Sequence, residues 1–100
     1  MGVEILDAPS GITAKIDGDI DHHTAAEIRK IIDENINLQK PKLLELDFGG
    51  VQFMDSSGIG LIMGRFKLVK AAGGNLKVVN VPQRLERMIK MSGLTKLGIF

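Results

Sequence analysis

Two short stretches set carboxylates beside histidines or hydroxyls: "DIDHH", Asp19–His23, and "MDSSG", Met54–Gly58. The second sets a carboxylate, Asp55, and two hydroxyls, Ser56 and Ser57, between an apolar run and a pattern with helical spacing. Asp and Ser are preferred helix cappers, so one of the three is expected to cap the helix that follows. With Ser56 as the cap, Ser57 is the first helical residue and its hydroxyl is free. Gly58, which has no Cβ, then lets another molecule approach closely. A free hydroxyl at a helix N-terminus also suits a phosphate, because the exposed N–H groups and the helix dipole favour negative charge there. Phosphorylation would add a charge of about −1.5 to −2. The adjacent Asp55 opposes that charge, a conflict that fits a reversible switch.

Other chemistries are weaker. A Ser-His-Asp set could draw on Ser57, on His22 or His23 (the chain's two histidines) and on Asp21 or Asp55, but the serine lacks the G-x-S-x-G elbow. Asp21, His22, His23 and Asp55 could be metal ligands, yet adjacent helical histidines point about 100° apart and seldom share an ion. Gly58, Gly60 and Gly64 follow a strand, but G-x-G-x-x-x-G is one residue too long for the dinucleotide fingerprint, and no G-K-[ST] is present. Gly60 and Gly64 read instead as a small helix face that something packs against.

The elements that must position these residues follow from hydropathy patterning. Val3–Leu6 and Ile12–Ile16 read as strands joined by the turn "DAPSG". Asp21 or Thr24 caps a first helix, with Glu27 completing a capping box after Thr24 and Ile28, Ile31, Ile32 and Ile36 as its apolar stripe. Leu43, Leu44, Leu46 and Phe48 form a buried strand bounded by Pro41 and Gly49–Gly50. A second helix starts near Ser57, turns Ile59, Ile62, Met63, Phe66 and Val69 inward, and closes at Gly73 or Gly74. Leu76–Val79 is a strand, Pro82 opens a third helix that Gly93 stops, and Leu97–Phe100 is a last short strand. The order β-β-α-β-α-β-α-β predicts an α/β fold, with a mixed sheet built from an N-terminal hairpin and βα units.

One hundred residues suit a single domain over 1–100, long enough for one core without staples. A net charge of +1 makes no electrostatic case for direct nucleic-acid binding. The absence of cysteine removes disulfides and thiolate metal sites and fits a cytoplasmic location. No apolar run approaches the roughly 20 residues of a membrane span, and the N-terminus lacks the features of a signal peptide.

"GDIDHHTA" (Gly18–Ala25), "FMDSSGIGLIMGRFK" (Phe53–Lys67) and "MSGL" (Met91–Leu94), in this order and spacing, resemble the STAS-domain anti-sigma factor antagonists, and most closely their sporulation-type, anti-sigma F branch. The resemblance implies helices packed on one side of the mixed sheet, no enzymatic activity, no cofactor and no metal. It implies that the unphosphorylated form binds an anti-sigma factor that is also a serine kinase, freeing the sigma factor. It makes Ser57 the phosphoacceptor, with Ser56 as capping neighbour and Asp21 and Asp55 beside it, and it supplies a serine phosphatase that resets the switch. Gly60, Gly64, Arg65 and Lys67, expected to face away from the inner stripe of the second helix, would join Gly58 in the partner-binding surface. The free protein is expected to be a monomer, although the family's usual further helix would lie beyond Phe100 and leave apolar surface open to self-association. The alternative implied is a STAS scaffold or a module sensing a nucleotide or other small ligand.

Overall fold

The computed structural model describes residues 2–100. Strands β1 (Gly2–Ala8) and β2 (Gly11–Ile20) form an antiparallel hairpin around the turn at Pro9 and Ser10. Helix α1 (His22–Gln39) leads to β3 (Leu43–Met54), α2 (Ser56–Ala71) to β4 (Asn75–Val79), and α3 (Gln83–Ser92) to a 3-10 turn at Leu94–Leu97. The sheet order is β1-β2-β3-β4, and both β2–β3 and β3–β4 are parallel, as crossover helices require.

Alternation sets the two faces. Ile12, Leu44 and Leu76 lie in one row across the sheet and Ala14, Leu46 and Val78 in the next, all buried. The intervening row, Thr13, Glu45 and Lys77, faces the open side, where the Thr13 hydroxyl donates to Glu45 Oε1 at 3.0 Å. One apolar face is covered by the helices. Ile28, Ile32 and Ile36 of α1, Leu61, Ile62 and Val69 of α2, and Leu85 and Ile89 of α3 all join the same core.

Three expectations about the elements need correction. β3 does not stop at Gly49–Gly50 but runs on to Met54. A Cβ on Gly50 would stand 2.7 Å from the Asp17 Cβ, at an irregularity in the β2–β3 register. The glycine permits a close approach of strands rather than ending one. Secondly, Leu97–Phe100 is not a strand: Gly93 (φ 82°) and Gly98 (φ 70°) both adopt the left-handed region and break the extended run. A single backbone hydrogen bond, from Val78 N–H to Ile99 O at 2.6 Å, ties the tail to the free edge of β4. Thirdly, the buried stripe of α2 is Gly58, Leu61, Ile62, Arg65 and Val69, with Ile59, Met63 and Phe66 only half-buried.

Candidate functional site

The site is built by two parallel strands that end in step. Ile20 of β2 pairs with Met54 of β3, so the next residues, Asp21 and Asp55, stand side by side, and the Asp55 N–H donates to Ile20 O at 3.1 Å. Each aspartate then caps a helix. Asp21 Oδ1 accepts from the N–H groups of His23 and Thr24, both at 2.9 Å. The Asp21 N–H returns a hydrogen bond to Thr24 Oγ1 at 2.9 Å. The capping-box partner is therefore Thr24 rather than Glu27. The N–H donated by Thr24, together with that from His23, outweighs desolvation and holds the Asp21 carboxyl below its ordinary range.

Asp55 caps α2. Its Oδ1 accepts from the Ser57 N–H at 2.7 Å, and its carbonyl accepts from the Gly58 N–H at 3.0 Å. Ser56 is thus not the cap but the first helical residue, and it is exposed. Ser57 is the second: its backbone is committed to Asp55, its side chain is half-buried, and its hydroxyl has no hydrogen-bond partner among the described residues. The aspartate wins because its carboxylate, one residue earlier, reaches the same first-turn donors with a full charge. The freedom of the Ser57 hydroxyl survives this change of cap.

Gly58 has a different role from the one expected. It is buried, and a Cβ there would run into Cγ and Sδ of Met54, itself 2% exposed. Its missing side chain serves packing within the chain rather than the approach of a partner. Gly58→Ala is expected to destabilise the fold by about 1–3 kcal/mol, as overpacking does, measurable by urea denaturation; an unchanged midpoint would contradict the assignment.

Arg65 also departs from expectation. It is 6% exposed and turned inward, with Nε 2.7 Å from Asp33 Oδ1 on α1. That distance makes an ion pair, although the N–H points off-line for a hydrogen bond. One terminal nitrogen makes a long 3.5 Å contact with Leu61 O. Burial pulls the guanidinium below its ordinary pKa, Asp33 raises it and neighbouring Arg29 lowers it. Lys67 is exposed, as expected.

A groove of about 400 Å³ runs between α1 and α2 beside Ser57. The α1 wall is His22, Ala25, Ala26 and Arg29. The α2 wall includes Ser57, Gly60, Gly64 and the inward-turned Arg65. A Cβ on Gly60 or Gly64 would meet nothing within 4 Å, so the space above both is open. The structure thus brings Ser57, Gly60, Gly64 and Arg65 to one groove, with Asp21 and Asp55 at its end, and leaves Lys67 off its walls. Arg29 was missed by sequence reasoning. Its signal was the i, i+3, i+4, i+7 spacing of His22, Ala25, Ala26 and Arg29, one helix face on which two small residues separate two cationic types.

His22 and His23 are exposed in the first turn of α1, their rings edge-to-face at 5.6 Å, and no hydrogen bond joins either side chain to a serine or an aspartate among the described residues. Among the described residues no three His, Asp or Glu side chains converge as metal ligands. No helix among them is long and apolar enough to cross a membrane.

The STAS domain family profile matches residues 4–100. The anti-sigma F factor antagonist of Paenibacillus polymyxa is 38% identical over 86 residues, which is 86% of this chain and 74% of that protein. The anti-sigma factor antagonist SpoIIAA in its unphosphorylated form superposes with a TM-score of 0.81 at 26% identity, over 93% of this chain and 82% of that one. The Bacillus cell fate determinant SpoIIAA in the phosphorylated form gives a TM-score of 0.74 at 26% identity, over 95% and 86%.

Proposed function

This chain belongs to the STAS domain family, and on that premise we infer that it is an anti-sigma factor antagonist switched by phosphorylation of Ser57. The unphosphorylated form binds an anti-sigma factor with serine kinase activity and so releases a sigma factor. The kinase transfers a phosphoryl group to Ser57, the complex separates, and a serine phosphatase restores the binding form. The observation that carries the reading is the Ser57 hydroxyl: half-exposed, unbonded, and fixed at the start of α2 by Asp55. Its support from outside the chain is that a structural neighbour, SpoIIAA, has been solved in a phosphorylated form.

The geometry suits an acceptor better than a catalyst. The start of α2 lies beside that of α1, so the positive ends of two helix dipoles face a charge placed on Ser57. Those dipoles let the fold carry a phosphate, while the neighbouring Asp21 and Asp55 carboxylates keep it from being held too firmly. Both aspartates are engaged in capping, which makes them positioning groups for the hydroxyl rather than free bases. Phosphoryl transfer depends mainly on positioning and charge stabilisation, and the kinase brings its own nucleotide site for that. Exposed Gly60 and Lys67 and half-buried Gly64 contribute partner-facing surface; Arg65 contributes from within, by pairing α2 with α1.

The test is phosphoryl uptake from ATP with the anti-sigma kinase. Ser57→Ala should take up none, whereas Ser56→Ala should match the parent chain. Full uptake by Ser57→Ala would overturn the assignment.

A further inference from the structure

The groove between α1 and α2 holds more positive charge than the chain itself answers. Arg29 and Arg65 both line it, and they lie close enough for Arg29 to disfavour the charge on Arg65. One carboxylate, Asp33, pairs with Arg65, and no ion pair to Arg29 occurs among the described residues. Arg65 is nine-tenths buried, yet its guanidinium, with five donors, has as partners the off-line Asp33 contact and the long one to Leu61 O. Two guanidinium groups lining one groove with spare donors form a receptor for an anion. The groove opens at its other end on the Ser57 side chain, and between the two ends the walls are Ala25, Ala26 and Gly60, which put no bulky group in the way. Side chains on a helix lean toward its N-terminus, which for Arg29 is the end of the groove where Ser57 stands, whereas Arg65 is turned to Asp33.

We propose that this groove is a receptor in cis for the Ser57 phosphate, with Arg29 as the residue that reaches it and Arg65 as the cation behind. The proposal rests on Ser57 as the phosphoacceptor. It adds that the modified chain folds its own phosphate into the groove instead of leaving it in solvent. Phosphorylation then does two things at once: it sets a dianion beside the partner surface, and it fills the α1–α2 groove that the unmodified chain leaves open.

The experiment installs phosphoserine at position 57 during translation, through a reassigned codon. It therefore runs without any kinase and does not depend on which serine a kinase prefers. The phosphorus NMR signal is titrated with pH in the otherwise unchanged chain and in Arg29→Gln, Lys30→Gln and Gly60→Leu. Lys30 is the control, because it carries the same charge on the same helix but does not line the groove. Gly60→Leu places a side chain in the path between Ser57 and Arg29, in space that is open in this fold. His22, Asp21 and Asp55 are kept in every variant, so differences report the groove. The expected result is a phosphate titration midpoint that rises by about one pH unit in Arg29→Gln, as for loss of a cation a few ångströms away. Gly60→Leu should raise it too, and Lys30→Gln should leave it nearly unchanged. Equal midpoints in the parent chain and Arg29→Gln, or equal shifts in Arg29→Gln and Lys30→Gln, would overturn the proposal while leaving the assignment of Ser57 untouched. A chain that takes up no phosphate at Ser57 from its kinase, yet shows the shift, would overturn the assignment of Ser57 and with it the proposal, leaving only a groove able to hold an installed phosphate.

Discussion

Phosphorylation of Ser57 is expected to weaken binding to the anti-sigma factor at least about a hundredfold, or roughly 3 kcal/mol. An interface that closes over a neutral hydroxyl has no provision for a dianion. Burying such a charge without a partner costs several kcal/mol or more in order of magnitude. The site can carry the phosphate in the free chain because two helix N-termini face it and Ser57 is half-exposed. A partner surface removes that exposure and adds its own groups, so the penalty falls on the complex rather than on the fold. Ser57→Asp should weaken binding less, by about tenfold, because a carboxylate brings one charge where phosphoserine brings about −1.5 to −2. Ser57→Ala should bind as the unmodified chain does, before and after treatment with kinase and ATP. Calorimetry on the four forms measures this directly. Equal affinity of the phosphorylated and unphosphorylated chains would sink the switch.

The second large effect concerns stability. Asp33→Ala should cost about 2–3 kcal/mol, somewhat less than the 3–5 kcal/mol seen when a fully buried pair is broken. Arg65 is left as a charge in a 6% exposed position without its counter-ion, but the Asp33 side chain is 28% exposed, so solvent already screens part of the pair. The double variant Asp33→Ala with Arg65→Leu should recover most of the loss, since no buried charge then remains. The measurement is a urea midpoint for the parent chain and for each of the two variants. A loss in Asp33→Ala that the double variant does not recover would mean that the uncompensated charge on Arg65 is not its cause.

Much of this was legible before any coordinates. Of the predicted stripe of α1, Ile28, Ile32 and Ile36 are buried and Ile31 is exposed, and the hairpin of β1 and β2 and the strands around Leu44, Leu46, Leu76 and Val78 follow from alternation and turn residues. Asp21 was one of two candidate caps, with Thr24, and the structure makes it the cap and Thr24 its capping-box partner. The failures share a physical cause: each depends on a neighbour distant in the chain or on competition between adjacent groups. Hydropathy places arginine outside, and Arg65 is inside only because Asp33, far away in sequence, faces it across two helices. Gly58 looked like an opening for a partner because nothing in its local sequence says that Met54 occupies the space. Gly49–Gly50 looked like an end because a strand crossing a register shift and a strand stopping use the same residue. Asp55 and Ser56 were equivalent cappers by type, and the pairing of Met54 with Ile20 settles which one stands at the junction. The groove beside Ser57 depends on two helices brought together by parallel strands, and no single stretch of sequence contains both walls.

The central claim, that one hydroxyl carries the switch, is tested most directly by intact-protein and peptide mass spectrometry after incubation with the anti-sigma kinase and ATP. The account predicts one phosphoryl group per chain, on Ser57, with the exposed Ser56 unmodified. A phosphoryl group on Ser56, or none at all with a kinase shown to act on another substrate, would contradict it.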